Sequence, residues 1–319
     1  MTPLDAPTTL PPLRRIGPGV AGLFSFAIFL TLPLLPFAGI FLALLAPLPL
    51  LHYASGGRPS VLAWGWVLVA LLGAALLHPV PWLLAVACGY LLVAALPAFS
   101  VELRIRAGWS TGRWAAVVAG AALVGVSGFI VGMVGPTDPV GSLLALLAEG
   151  AREAEELTRA FRPAGSGSED AWTWALHSVA YLTPALVALY VTAAAFWVRP
   201  RLPLLGLGVT GENFDEYRSE EWLPVGFVAG GLGWALAGGV AKWLASNLFA
   251  VVLGLYFIDG LAIIHYYLGR RLGGNRWVRL GVALFALQLP VALVLSAVGL
   301  TDNFFALRRG RATDGGEQV

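Results

Sequence analysis

Apolar runs of about twenty residues follow one another along almost the whole chain, and the charged residues collect in the short stretches between them. A run of that length crosses a hydrocarbon core of about 30 Å as an α-helix. The pattern predicts spans near residues 19–34, 36–53, 60–77, 80–99, 114–134, 172–198, 223–241, 247–269 and 277–299. The first two arise from one long apolar run, in which Pro33 and Pro36 favour a tight reversal or a kink. The fold class expected is therefore all-α, a polytopic transmembrane helix bundle of about nine spans. One fused or interfacial segment would make eight.

Composition agrees with this pattern. Of 319 residues, 58% are hydrophobic and 12% are charged, against about 25% charged in soluble domains. Mean hydropathy is +0.78. A β-barrel would show short alternating segments instead. The net charge of +2 is small, and the basic residues flank apolar runs, which speaks for membrane topology and against nucleic-acid binding. Arg14 and Arg15, Arg58, Arg104, Arg106 and Arg113, Arg199 and Arg201, and Arg270, Arg271, Arg276 and Arg279 fall on one side of a nine-span bundle. That side is expected to be cytoplasmic. The same count puts Arg308, Arg309 and Arg311 outside, against the rule. The single cysteine, Cys88, lies inside an apolar run, so no disulfide framework or thiol metal site is expected.

The chain divides into a cytoplasmic lead-in (1–18), an N-terminal transmembrane half (19–134), a non-cytoplasmic loop (135–171), a C-terminal transmembrane half (172–300) and a tail (301–319). In the loop, Leu143, Leu147, Ala151, Ala154, Leu157 and Phe161 recur at helical spacing among acids and arginines. This predicts an amphipathic helix over 140–162, lying on the membrane surface or capping the bundle. PAGSGSED, 163–170, reads as a flexible return. In the seventh span Ala229, Gly233 and Ala237 are four apart, as are Gly128 and Gly132 in the fifth. Small residues at this spacing let helices approach closely in lipid.

Asp259 stands inside NLFAVVLGLYFIDGLAIIHYYLGRR, 247–271. It is roughly 16–18 Å along the helix from either end of that stretch. An ionised carboxylate at mid-membrane costs at least about 2.5–3.5 kcal/mol, so the group needs a proton, a hydrogen bond or water. Tyr256 shares its face, and Tyr181 and Thr183 of the sixth span are expected at similar depth. A ligand pocket lined by Tyr181, Thr183, Tyr256 and Asp259 is one reading. An Asp tied to another helix by hydrogen bonds is the other. Asp302 reads as the N-cap of a short terminal helix, with Arg308 available to it or to lipid phosphate. The four histidines lack paired spacing, so no metal site is predicted.

The end of the chain, GLTDNFFALR, places Gly299, Asp302 and Arg308 after a last apolar helix. With Asn247, YFIDGLAIIHYYL and its Gly260, and NFDEYR ahead of Pro224, it resembles the YybS-like family of bacterial membrane proteins (DUF2232). The Pro-rich reversal near the start and PLPLLHYASGGRPS fit the same family. The front end is also similar to the substrate-binding S components of energy-coupling-factor vitamin transporters. Those place small residues four apart in the first helix; here Ala21 and Ser25 are interleaved with Phe24, Phe26 and Phe29.

The resemblance implies a multi-pass protein of the bacterial inner membrane. One expectation is a component that binds a small molecule or lipid within the bundle, energised by a coupling subunit. The alternative is a structural or accessory subunit of a larger membrane complex. No serine or cysteine nucleophile has a recognisable partner and no phosphate-binding glycine loop precedes a helix, so neither an enzyme nor a bound cofactor is expected. The partners expected are the bilayer and a membrane protein, without nucleic acid.

Overall fold

The computed structural model describes residues 16–77, 81–135, 137–145, 148, 169–203, 214, 217–271, 281–282, 284–286 and 288–305. Among them all regular structure is helical. Trp82–Ala107, Thr111–Val134, Trp174–Arg201 and Gly239–Leu268 are long and apolar enough to cross a membrane. Shorter apolar helices cover Pro18–Leu34, Ala38–Ala54, Val61–Leu77, Leu223–Leu236 and Leu289–Phe305. Most of the predicted 140–162 helix lies outside the described residues; 139–145 and 148 are helical.

The chain forms two compact units, Met1–Ala107 with Ala193–Val209, and Gly108–Thr192 with Thr210–Val319. The sequence division at 134 and 172 differs, because the fifth span packs with the C-terminal helices.

In the first unit, α1 (Pro18–Phe29) and α2 (Thr31–Leu34) lead into a reversal at Leu35, and α3 (Pro36–Ala43) returns. The backbones meet so closely that a Cβ on Gly39 would overlap the Thr31 carbonyl. The prolines thus make a reversal and not a kink. The return is itself broken: residues 44–46 form a turn before α4 (Pro47–Ala54). The Ser25 hydroxyl donates to the Ala46 carbonyl of that turn at 2.8 Å, and Tyr90 OH donates to Ser25 at 3.2 Å. Ala21 and Ser25 are fully buried, so the small pair of the first helix is consumed inside this unit.

Beyond α5 (Val61–Leu77), α6 (Pro81–Tyr90) passes through a π-helical turn, Leu91–Ala95, into α7 (Leu96–Ala107). The wide turn lies just before Pro97, which has no N–H to give a regular ladder. Near the end of α7 the buried Glu102 accepts the Ser60 N–H at 2.9 Å, one residue before α5 begins. Arg106 lies 3.6 Å from the other Glu102 oxygen.

The second unit comprises α8 (Thr111–Val134), α9 (Glu169–Val198, as far as Thr192), α10 (Leu223–Leu236), α11 (Gly239–Arg271) and α12 (Leu289–Phe305). The seventh span is shorter than expected and the eighth longer. The chain turns at Ala237–Gly238, and Gly239 takes φ +56°, a conformation suited to glycine. Lys242 and Trp243 consequently lie inside α11.

Small residues set the packing here. Gly230 lies against the Phe249 backbone and Gly233 against Ala245 Cβ, while a Cβ on Gly226 would touch Val252. The face used is Gly226–Gly230–Gly233; Ala229 is exposed and Ala237 ends the helix. A Cβ on Gly260 would overlap the Leu295 carbonyl, and one on Gly299 the Tyr256 carbonyl. Glycine at both positions lets α11 and α12 meet backbone to backbone. Gly299→Ala should therefore destabilise by about 1–2 kcal/mol through overpacking, read as a lower thermal midpoint in detergent. An unchanged midpoint would mean that the helices part without cost.

Candidate functional site

The sixth span contains Pro184. Proline removes a helix N–H and its ring crowds the preceding turn, so a helix needs outside help there. Asn247, fully buried on α11, supplies it. The Ala185 N–H, the first after the proline, donates to Asn247 Oδ1 at 3.0 Å. Asn247 Nδ2 donates to the Tyr181 carbonyl at 3.0 Å and to the Trp243 carbonyl at 2.9 Å. Trp243 Nε1 donates to the same Tyr181 carbonyl at 2.9 Å. One carboxamide thereby bonds backbone groups on both sides of Pro184.

Beside this splice lies a cavity of about 430 Å³. Its polar lining includes His177, Tyr181 and Ser246, and its apolar walls include Trp234, Phe249 and Leu253. The Trp234 and Phe249 rings are 6.4 Å apart and within 6° of parallel. Those of His177 and Tyr181 are also 6.4 Å apart, within 15°. The cavity lining thus includes two near-parallel ring pairs. Tyr181 OH and Ser246 Oγ are 3.0 Å apart, and Ser246 Oγ donates to the Lys242 carbonyl at 2.7 Å.

The second polar cluster surrounds Asp259, which is fully buried. One carboxyl oxygen accepts the Ser219 N–H at 3.1 Å. Residues 217–220 form no regular structure, and Tyr217 and Ser219 are buried. The segment is held from several sides. An Arg218 guanidinium nitrogen donates to the Asp302 backbone carbonyl at 3.2 Å. Gly112 lies against the Arg218 carbonyl, with no room for a Cβ. Ser110 Oγ donates to Glu220 at 2.5 Å. The Phe214 ring meets His265 edge-on at 5.7 Å. Asn303 Nδ2 donates to Tyr256 OH at 3.4 Å.

The depth of Asp259 follows from helix length. It lies seventeen residues after Lys242, roughly 26 Å along the axis, close to the full thickness of a hydrocarbon core. In the other direction it lies twelve residues, roughly 18 Å, before Arg271 at the end of α11. The helix begins at Gly239 and not at Asn247, so Asp259 lies further from its start than the sequence implied. The fourteen residues of α10 give roughly 21 Å, too short to cross alone. The irregular 217–222 stretch leads into it, and buried irregular backbone needs partners. Asp259 is one.

The four residues predicted to share a pocket are not brought together. Tyr256 belongs with Asp259. Tyr181 meets Ser246, roughly 20 Å along α11 from Asp259. Thr183 bonds its own helix, donating to the Val179 carbonyl at 2.8 Å. Asp302 is corrected too: it is buried inside α12, not at the start of a terminal helix, because that helix runs on to Phe305. Arg308 lies outside the described residues. Gly128 and Gly132 are exposed, with nothing within 4 Å of an added Cβ. Among the described residues no three His, Cys, Asp or Glu side chains gather as a metal site would require.

Sequence reasoning passed over Ser219, Ser246 and the pairing of Pro184 with Asn247. The last had a signal: a proline deep in one apolar run and an amide in another are complementary defects. Ser219 had none, since its contribution is a backbone N–H.

The family model described as a predicted membrane protein (DUF2232) matches residues 23–303. No curated protein and no solved structure matches the chain, so the likeness to transporter S components gains no support.

Proposed function

The chain belongs to the DUF2232 family of predicted membrane proteins, and from that premise we propose that it binds a small apolar molecule in the cavity between Tyr181, Trp234, Ser246 and Phe249. The observation that carries this reading is the cavity itself. Its volume of about 430 Å³ falls within the range of about 300–1,000 Å³ typical of small-molecule sites. Its mix of apolar walls and a few polar atoms is likewise what such sites use. The Asn247 splice beside it supports a fixed shape. On this reading Asp259 and Asp302 hold the cytoplasmic entry segment and do not touch the ligand. The arginine-rich loops support a place in the bacterial cytoplasmic membrane.

Ala250 lines the cavity, so Ala250→Phe should fill it. Wild-type protein taken from native membranes into nanodiscs is expected to release one small-molecule species on denaturing extraction and mass spectrometry. The Ala250→Phe protein, equally folded, should release at least about tenfold less. Equal release from both, or none from either, would overturn the reading.

A second reading, an accessory subunit of a membrane complex, draws on Gly128 and Gly132. Exposed small residues four apart suit a helix from another chain. Co-purification of one stoichiometric partner, lost in Gly128→Leu, would favour it.

A further inference from the structure

We infer that the cavity selects a flat aromatic ligand that carries a hydrogen-bond donor, an O–H or N–H, aimed at the Tyr181–Ser246 pair. This rests on the reading of the cavity as a binding site and specifies what that site takes. The argument is a count of protons. A serine hydroxyl has one proton. Ser246 directs its proton to the Lys242 carbonyl at 2.7 Å, an atom that can only accept. The 3.0 Å contact between Ser246 and Tyr181 must then use the tyrosine's proton. Both protons are committed, and the lone pairs left over can only accept. A ligand that itself only accepts finds no partner there, and leaves those oxygens unsatisfied against its own oxygen.

The shape comes from the rings. Trp234 with Phe249, and His177 with Tyr181, are near-parallel ring pairs among the lining residues. Leu182, Ala250 and Leu253 supply the remaining apolar lining. A planar ring system covers such walls with offset or edge contacts worth about 0.5–1.5 kcal/mol beyond area burial. His177 and Ser178, a turn before Tyr181, also line the cavity. They could donate to an accepting ligand, so variants at the hydroxyl pair decide the matter and not the bare preference.

The probes are 2-naphthol and 2-methoxynaphthalene, which share a ring but differ in having or lacking a donor. Titration calorimetry in nanodiscs, corrected with empty nanodiscs, gives both dissociation constants. Wild-type protein should bind 2-naphthol about three- to tenfold tighter, the range a neutral hydrogen bond supplies. Ser246→Ala releases the Tyr181 proton toward the cavity, so the preference should fall to parity or reverse. The double variant Ser246→Ala/Tyr181→Phe removes both oxygens and should bind the two probes equally. Equal wild-type binding of both probes, abolished by Ala250→Phe, would overturn donor selection and leave the cavity reading standing. So would a naphthol preference unchanged in the double variant. Wild-type binding of either probe no stronger than in Ala250→Phe would overturn the cavity reading itself.

Discussion

Asn247→Leu should destabilise the protein by about 2–4 kcal/mol, seen as a lower thermal midpoint and reduced recovery in detergent. Leucine fills similar space but makes none of the three hydrogen bonds that Asn247 makes. Three net contributions of about 0.5–1.5 kcal/mol each sum to about 1.5–4.5 kcal/mol, which brackets that range. The Ala185 N–H is the group most harmed, because lipid and packed side chains offer it no substitute. The explanation makes a second, sharper claim. If Asn247 is needed because Pro184 breaks the helix, then Pro184→Ala should make it dispensable. With alanine at 184 the helix can close, and the Ala185 N–H can return to the Tyr181 carbonyl. Asn247→Leu should then cost at most about 1 kcal/mol, a coupling well above the scatter of independent sites. An equally severe loss in the Pro184→Ala background would show that Asn247 serves packing and not the splice.

How much of this was legible beforehand differs by residue. The first reversal followed from Pro33 and Pro36, since two prolines three apart cannot both continue a helix. Of the expected packing residues 229, 233 and 237, Gly233 does meet a neighbouring helix, but the rest of the contacting face is Gly226 and Gly230. Spacing of small residues fixes a period, whereas the partner's bulky groups, here Phe249 and Val252, choose the phase. The turn at Ala237–Gly238 was missed because Gly238, Gly239 and Val240 read as apolar and a span looks continuous across them. That miss displaced the start of α11. The proposed pocket failed for a related reason. Depth along separate helices was compared without knowing that Tyr181 sits at the level of Ser246. At the C-terminal end Gly299 packs on the carbonyl of Tyr256, and Asp302 is reached at its backbone oxygen by Arg218, a partner the sequence reading did not name.

Asp259→Leu should free the 217–220 segment while Asp259→Asn should leave it in place. The carboxyl group accepts a backbone N–H, a role the amide oxygen of asparagine fills with the same geometry. Leucine accepts nothing, and a buried N–H without a partner costs about 1–3 kcal/mol. The first unit supports the interpretation independently. There Glu102 accepts the N–H of Ser60, again a serine in irregular backbone shortly before an apolar helix. In both places a buried acid on one helix accepts a backbone N–H from the segment that leads into another apolar helix. The measurement is thiol labelling of Ser219→Cys in a Cys88→Ala background. Residue 219 is buried, so labelling reports opening of the segment, and the substitution keeps the backbone N–H. Asp259→Leu should accelerate labelling by about 5- to 150-fold, the rate equivalent of that lost tether, and lower the thermal midpoint. Asp259→Asn should change the rate by less than about threefold. An asparagine variant that labels as fast as the leucine variant would mean that the charge, and not the acceptor, holds the segment. A leucine variant that labels at the parent's rate would mean that Arg218, Gly112 and Glu220 suffice without Asp259.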